Sequence, residues 1–360
     1  MFISSEAIVN ATSAVVRASL HRRADEDDEE VNCGEGGGDD AFLGLRIASV
    51  FIILVGSTFG ALFPVLAKRA KWLTIPKGVF DFAKYFGSGV IIATAFIHLL
   101  DPALEALESP CLSPAWGEYP YALALCMVSI FFIFVLELLA FRWGTARLAQ
   151  IGMTHDAHGH DVGGSVAAHG PEGANTEMGS LEKQPLDDVD KDELITDTVA
   201  AQIIGVGILE FGVVLHSILI GLTLAVDEDF KTLFVVIVFH QMFEGLGVGS
   251  RLAYLRLPSK YTWVPVAAAI LYGITTPVGI AAGLGVRTTY NPGSTTASTV
   301  SGVMDSISAG ILIYTGLVEL LAHEFLFNRE MQNASNGKLA YAIICMVLGW
   351  GLMALLGKWA

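Results

Sequence analysis

The chain has 360 residues, 53% of them hydrophobic and only 16% charged, with a mean hydropathy of +0.57, which excludes an ordinary soluble protein of this length. Its net charge of −15 disfavours a nucleic-acid partner, and acidic runs such as DEDDEE at 25–30 and DPALEALESP at 101–110 attract cations instead. Lipid is the expected solvent: a hydrocarbon core about 30 Å thick takes roughly 20 mainly apolar residues per helix.

Residues 1–41 read as an acidic mobile tail without a secretory signal. From there the hydropathy predicts eight membrane-spanning helices, at 47–67, 80–100, 121–140, 199–226, 232–255, 262–286, 302–327 and 339–357. The fold class is an all-α integral membrane protein, an eight-helix bundle. Basic residues orient it: Lys68, Arg69, Lys71 and Lys77 follow the first span, Arg142 and Arg147 the third, Arg251, Arg256 and Lys260 the fifth, and Arg329 and Lys338 the seventh. Loops rich in Lys and Arg stay cytoplasmic, so both termini are expected to be extracellular. The chain then divides into the tail, helices 1–3 within 42–147, a long loop at 148–198, and helices 4–8 within 199–360.

The loop at 148–198 is cytoplasmic in this topology and too polar to bury a core. It carries HDAHGHD, in which His155, His158 and His160 stand close to Asp156 and Asp161. Such a tract either binds divalent metal weakly or is a solvated linker. Cys33 and Cys111 both fall on the outer side, where a disulfide between them and a pair of free thiols are equally compatible with the sequence. Cys126 and Cys345 stand singly within spans as small core residues.

Spans four and five hold the unusual chemistry. The fourth reads EFGVVLHSILIGLTLAV, with His216 and Ser217; the fifth reads LFVVIVFHQMFEGLGVG, with His240, Gln241 and Glu244. His216 lies ten residues before the end of its span and His240 eight after the start of the next, which puts both ~12 to 15 Å deep. The short DEDFK turn makes the two helices antiparallel neighbours. His240 and Glu244 share a face at i and i+4, and Gln241 joins Glu244 at i+3. An ionised Glu at mid-membrane costs on the order of 3 kcal/mol and implies a partner. Two neutral imidazoles with one carboxylate are a chelating set for a divalent transition metal. Glycines 205, 207, 221, 245, 247 and 249 suit close helix approach.

HSILIGLTLAV together with FHQMFEGLGVGSRL resembles the paired signature of the ZRT/IRT-like protein (ZIP) family of zinc and iron transporters, in its fungal and plant branch. GSGVIIATAFIHLLDPA in the second span and GLVELLAHEF in the seventh are similar to family sequences as well. The resemblance implies an eight-span bundle that carries Zn²⁺ as its transported substrate between the fourth and fifth spans. His216, His240 and Glu244 would form the main site, and Ser217 and Gln241, sharing Glu244, a neighbouring second position. Ile220 and Ser217 stand where many members have an acid and an Asn, and Phe243 where many have Pro, so one well-held ion is expected.

Further polar groups suggest a route. His98, Asp101, Asp227 and Asp305 are expected toward the outer mouth, and Glu319, His323 and Glu324 toward the cytoplasmic end. The resulting expectation is a plasma-membrane zinc importer, with divalent metal ions and membrane lipid as partners and a homodimer left open. No GxxxxGK[ST] loop occurs, so transport would run down a gradient or with a coupled ion. An intramembrane zinc-dependent hydrolase and an iron or manganese transporter of the same family are the alternatives.

Overall fold

The computed structural model describes residues 33–34, 41–70, 76–150, 188–255, 257 and 259–359, with the backbone course alone for 140–150 and 188–206. Its described residues are helical throughout and contain no strand. Among the described residues, eight helices are long and apolar enough to cross a membrane. They are α1 (Leu43–Arg69), α2 (Lys77–Leu107), α3 (Tyr121–Gln150), α4 (Asp188–Val226), α5 (Phe230–Tyr254), α6 (Val264–Val286), α7 (Thr295–Phe327) and α8 (Asn336–Leu356). Each coincides with one of the eight predicted spans.

The ends differ where local chemistry overrides hydropathy. Hydropathy stops the second span at Leu100, yet α2 runs to Leu107. A π-helical stretch, Thr94–Leu100, hands over to an α segment whose second residue is Pro102; inside the continuous α2 its missing N–H leaves a carbonyl of the preceding turn without a helical donor. α7 starts at Thr295 because Ser294 caps it, its Oγ accepting from the Ala297 N–H at 3.3 Å. α4 begins at Asp188, inside the stretch read as loop. His155, His158 and His160 lie outside the described residues.

In lipid there is little hydrophobic drive between helices, so they associate through close packing of small residues. α1 packs most extensively on α5 and α6, α4 on α6, α2 on both α7 and α8, and α3 on α7. On α5, a Cβ added at Gly249 would overlap the Ala61 backbone of α1, so only glycine admits that approach. Large apolar side chains such as Phe51, Val55, Phe59, Phe131, Phe132 and Val347 face outward, more than half of each exposed, as a lipid-facing surface requires.

One charge inside the bundle is structural. Arg46 of α1 is fully buried, yet its guanidinium donates to the carbonyls of Leu224, Ala225 and Asp227 at 3.3, 3.2 and 2.7 Å. Those are the carbonyls that the end of α4 leaves without helical partners, where positive charge is favoured. The same group lies 4.5 Å from the Phe230 ring centroid and so ties α1, α4 and the start of α5 together. On that face of the bundle Cys33 and Cys111 form a disulfide, and Asn291 donates to the Gly34 carbonyl at 2.8 Å.

Candidate metal centre

Only Asp227–Asp229 separate α4 from α5, so the two run antiparallel and His216 and His240 meet at one level. Their Nε2 atoms are 3.4 Å apart. Two nitrogens each 2.0–2.1 Å from one tetrahedral ion stand about 3.3 Å apart, so the pair is already spaced to grip a single zinc. Glu244 follows one turn below His240, its Oε2 4.0 Å from the His240 Nε2. An ion would draw that carboxylate in by roughly 0.7 Å to reach the same spacing. Among the described residues these three form the one group of His, Cys, Asp or Glu side chains whose ligand atoms all lie within 4.8 Å of one another. His216 is 3% exposed, His240 and Glu244 0%, so water does little of their solvation.

A second ring of groups orients the first. Asp305 of α7 sits with Oδ1 4.0 Å from His216 Nδ1, and its Oδ2 accepts from Ser301 Oγ at 3.0 Å. At 4.0 Å this carboxylate makes no hydrogen bond to the ring and its Oδ1 has no hydrogen-bond partner; closing by about 1 Å, it would favour the tautomer that leaves Nε2 free to ligate. Tyr272 of α6 is fully buried, and its hydroxyl lies 2.6 Å from the Gln241 carbonyl, 3.0 Å from Gln241 Oε1 and 3.4 Å from Glu244 Oε2. Even so, His240 Nδ1, Glu244 Oε1, Gln241 Nε2 and Ser217 Oγ are buried without a hydrogen-bond partner. Unsatisfied polar atoms cost about 1–3 kcal/mol each, so so many at one level mark a place shaped for something polar.

The expected outer-mouth residues separate. His98 lies in the centre itself: its ring stands edge-on to His240 with centroids 4.6 Å apart, and its Nε2 bonds the Met353 carbonyl at 3.0 Å. That bond makes Nε2 the donor and leaves the Nδ1 lone pair free. The π-helical stretch of α2 carries His98, and such stretches recur at functional sites. Asp305 likewise belongs beside His216. Asp101 is exposed at the first turn after that stretch. Asp227 stands at the α4–α5 turn, where burial pushes its carboxyl above the ordinary carboxylate range. On the far half of α7, Glu319 lies beside Glu137 of α3, the His323 ring rests 5.3 Å from Phe327, and Glu324 pairs with Lys84.

Two residues escaped the sequence reading. Tyr272 carries no signal, since one Tyr in an apolar span is unremarkable to hydropathy. Glu210 of α4 did carry one: it is a carboxylate in a span, 7% exposed, with neither oxygen hydrogen-bonded. By the intramembrane-charge argument it belongs with the polar column.

The family described as ZIP zinc transporter matches residues 43–357. Among curated proteins, zinc-regulated transporter 1 of Saccharomyces cerevisiae is 45% identical over 335 residues, covering 88% of each chain. Zinc-regulated transporter 1 of Schizosaccharomyces pombe is 40% identical over 95% of this chain and 92% of its own. Zinc transporter 9 of Oryza sativa is 35% identical over 88% of this chain and 89% of its own.

Proposed function

Because the chain belongs to the ZIP zinc transporter family, we propose that it imports Zn²⁺ across the plasma membrane through a site made of His216, His240 and Glu244. It is a multi-pass membrane transporter and not an enzyme, which retires the zinc-hydrolase alternative. The observation that carries the site is the pair of imidazole nitrogens 3.4 Å apart with a fully buried carboxylate one turn below them.

In this reading both termini are extracellular and the α4–α5 turn faces outward. Zinc gathers at the acidic mouth near Asp101 and Asp227 and sheds water as it meets His98, His216 and His240. Neutral imidazoles bind it without adding charge, and the single Glu244 carboxylate offsets part of its charge without holding it irreversibly. Asp305, closing on Nδ1, fixes the His216 tautomer and Tyr272 aims Glu244. Ser217 and Gln241, each with an unpartnered atom, offer a transient second position. Release proceeds along the half of the bundle that holds Glu210, Glu319, His323 and Glu324, toward the loop with His155, His158 and His160.

The test is uptake of radiolabelled zinc by cells bearing the Glu244→Ala variant. Uptake is expected to fall to background while surface expression persists; undiminished uptake eliminates the site. Iron or manganese added at the zinc concentration in the same assay on the unmodified protein reads selectivity, and competition by either favours the broader transporter.

A further inference from the structure

Below the metal centre, cations from two helices converge on one carboxylate of a third. Lys84 of α2 forms a short ion pair with Glu324 Oε1, and Arg251 of α5 places Nη1 3.9 Å from Glu324 Oε2. Arg251 also donates a short hydrogen bond through Nη2 to Ser88 Oγ of α2, and Asn328 Nδ2 reaches Glu324 Oε1 at 3.4 Å. The three charged side chains are each less than a fifth exposed, so solvent screens their attraction only weakly.

Their position gives the cluster a role. Arg251 follows His240 by eleven residues and Glu244 by seven, three turns and two turns of regular α-helix, so it lies on the same face of α5 about 10 Å beyond Glu244. Between the two levels the α2 and α5 backbones touch: a Cβ added at Gly87 would overlap Gly247, and the Ile91 side chain closes on the same spot. An ion leaving Glu244 along this face meets first a backbone contact and then two cationic side chains, one from each helix. A plug carrying two positive charges and one negative cannot stay in place while a divalent cation passes.

We propose that Lys84, Glu324 and Arg251 form the inner gate of the transport pathway, shut while Glu324 holds both cations and open when α5 parts from α2 and α7. This rests on the transport reading above. Parting frees the Glu324 carboxylate, which then faces the departing ion and eases it past Arg251.

The experiment reads opening and not zinc chemistry. Thr94 is fully buried on α2, one turn from His98 and above the gate, with an unpartnered hydroxyl. Thr94→Cys is made with Cys126→Ser and Cys345→Ser, and inside-out vesicles are treated with a membrane-impermeant maleimide. Labelling is expected to be slow with the gate intact, at least about fivefold faster with Arg251→Gln or Glu324→Gln, and slow again with Arg251→Lys or Glu324→Asp, which keep the charges. Equal rates in all of these, or no labelling in any, overturn the gate. A second measurement reads helix separation directly: Ser88→Cys with Arg251→Cys, in the same Cys126→Ser and Cys345→Ser background and bridged by a reducible bifunctional thiol reagent, is expected to lose zinc uptake on bridging and regain it on reduction. Unimpaired uptake after complete bridging also overturns it. Failure of the Glu244→Ala experiment leaves the labelling rates unaffected, so the two readings fall separately.

Discussion

His216 and His240 hold their ring nitrogens at ligand spacing because each ring is constrained from behind: His216 by Asp305, and His240 by the His98 ring across α2. Tyr272 does the same for Glu244 and Gln241 from α6. Removing a group that orients a metal ligand typically costs 10–100-fold in affinity. Tyr272→Phe keeps the ring and its packing, so the expected result is a zinc affinity roughly tenfold weaker, read as a raised KM for uptake with normal surface expression. An unchanged KM would assign Tyr272 to packing alone. The buried cluster itself was legible, since His216, His240 and Glu244 stand out against apolar neighbours. Asp305 was legible as an intramembrane acid but not as the partner of His216, because pairing across α4 and α7 is invisible in either helix alone.

At the level of helices, the glycines divide by what they meet. Gly249 lies on the Ala61 backbone of α1, Gly245 against Ala61 and Ser57, and Gly221 against Thr276 and Gly279 of α6, whereas Gly207 meets nothing within 4 Å. Gly249→Val therefore forces α1 and α5 apart, an overpacking penalty of about 1–3 kcal/mol or more, and is expected to lower thermal stability and surface expression sharply. Gly207→Ala is expected to leave both unchanged. Fluorescence-monitored melting of the two detergent-solubilised variants separates them. The glycines of α4 and α5 were readable in the chain, but which of them touches a backbone depends on the crossing of helices far apart in sequence.

Across the whole molecule, the Cys33–Cys111 disulfide closes 78 residues of chain and joins the segment before α1 to the loop after α2. A cross-link of that kind stabilises mainly by restricting the unfolded chain, typically by about 2–4 kcal/mol. Cys33→Ser is expected to lower the melting temperature by several degrees and to make it insensitive to reductant, while the unmodified protein loses the same stability on reduction. A melting curve that ignores both changes would show the bond to be energetically idle. The sequence left this pair open, and the fold resolved it by bringing the two Cα atoms to 5.4 Å.

Eight spans and the antiparallel pairing of α4 with α5 follow from the amino-acid order alone, because the length of an apolar run and the brevity of a turn are local properties. His216, His240 and Glu244 stood out in the same way, since a carboxylate among apolar neighbours in a span is visible in the order of residues alone. Which helices touch, which imidazole stands behind which, and how Arg46, Tyr272 and Arg251 are used were settled only when the bundle assembled. Those are relations between segments separated by tens to hundreds of residues, and their energies exist only at contact distance.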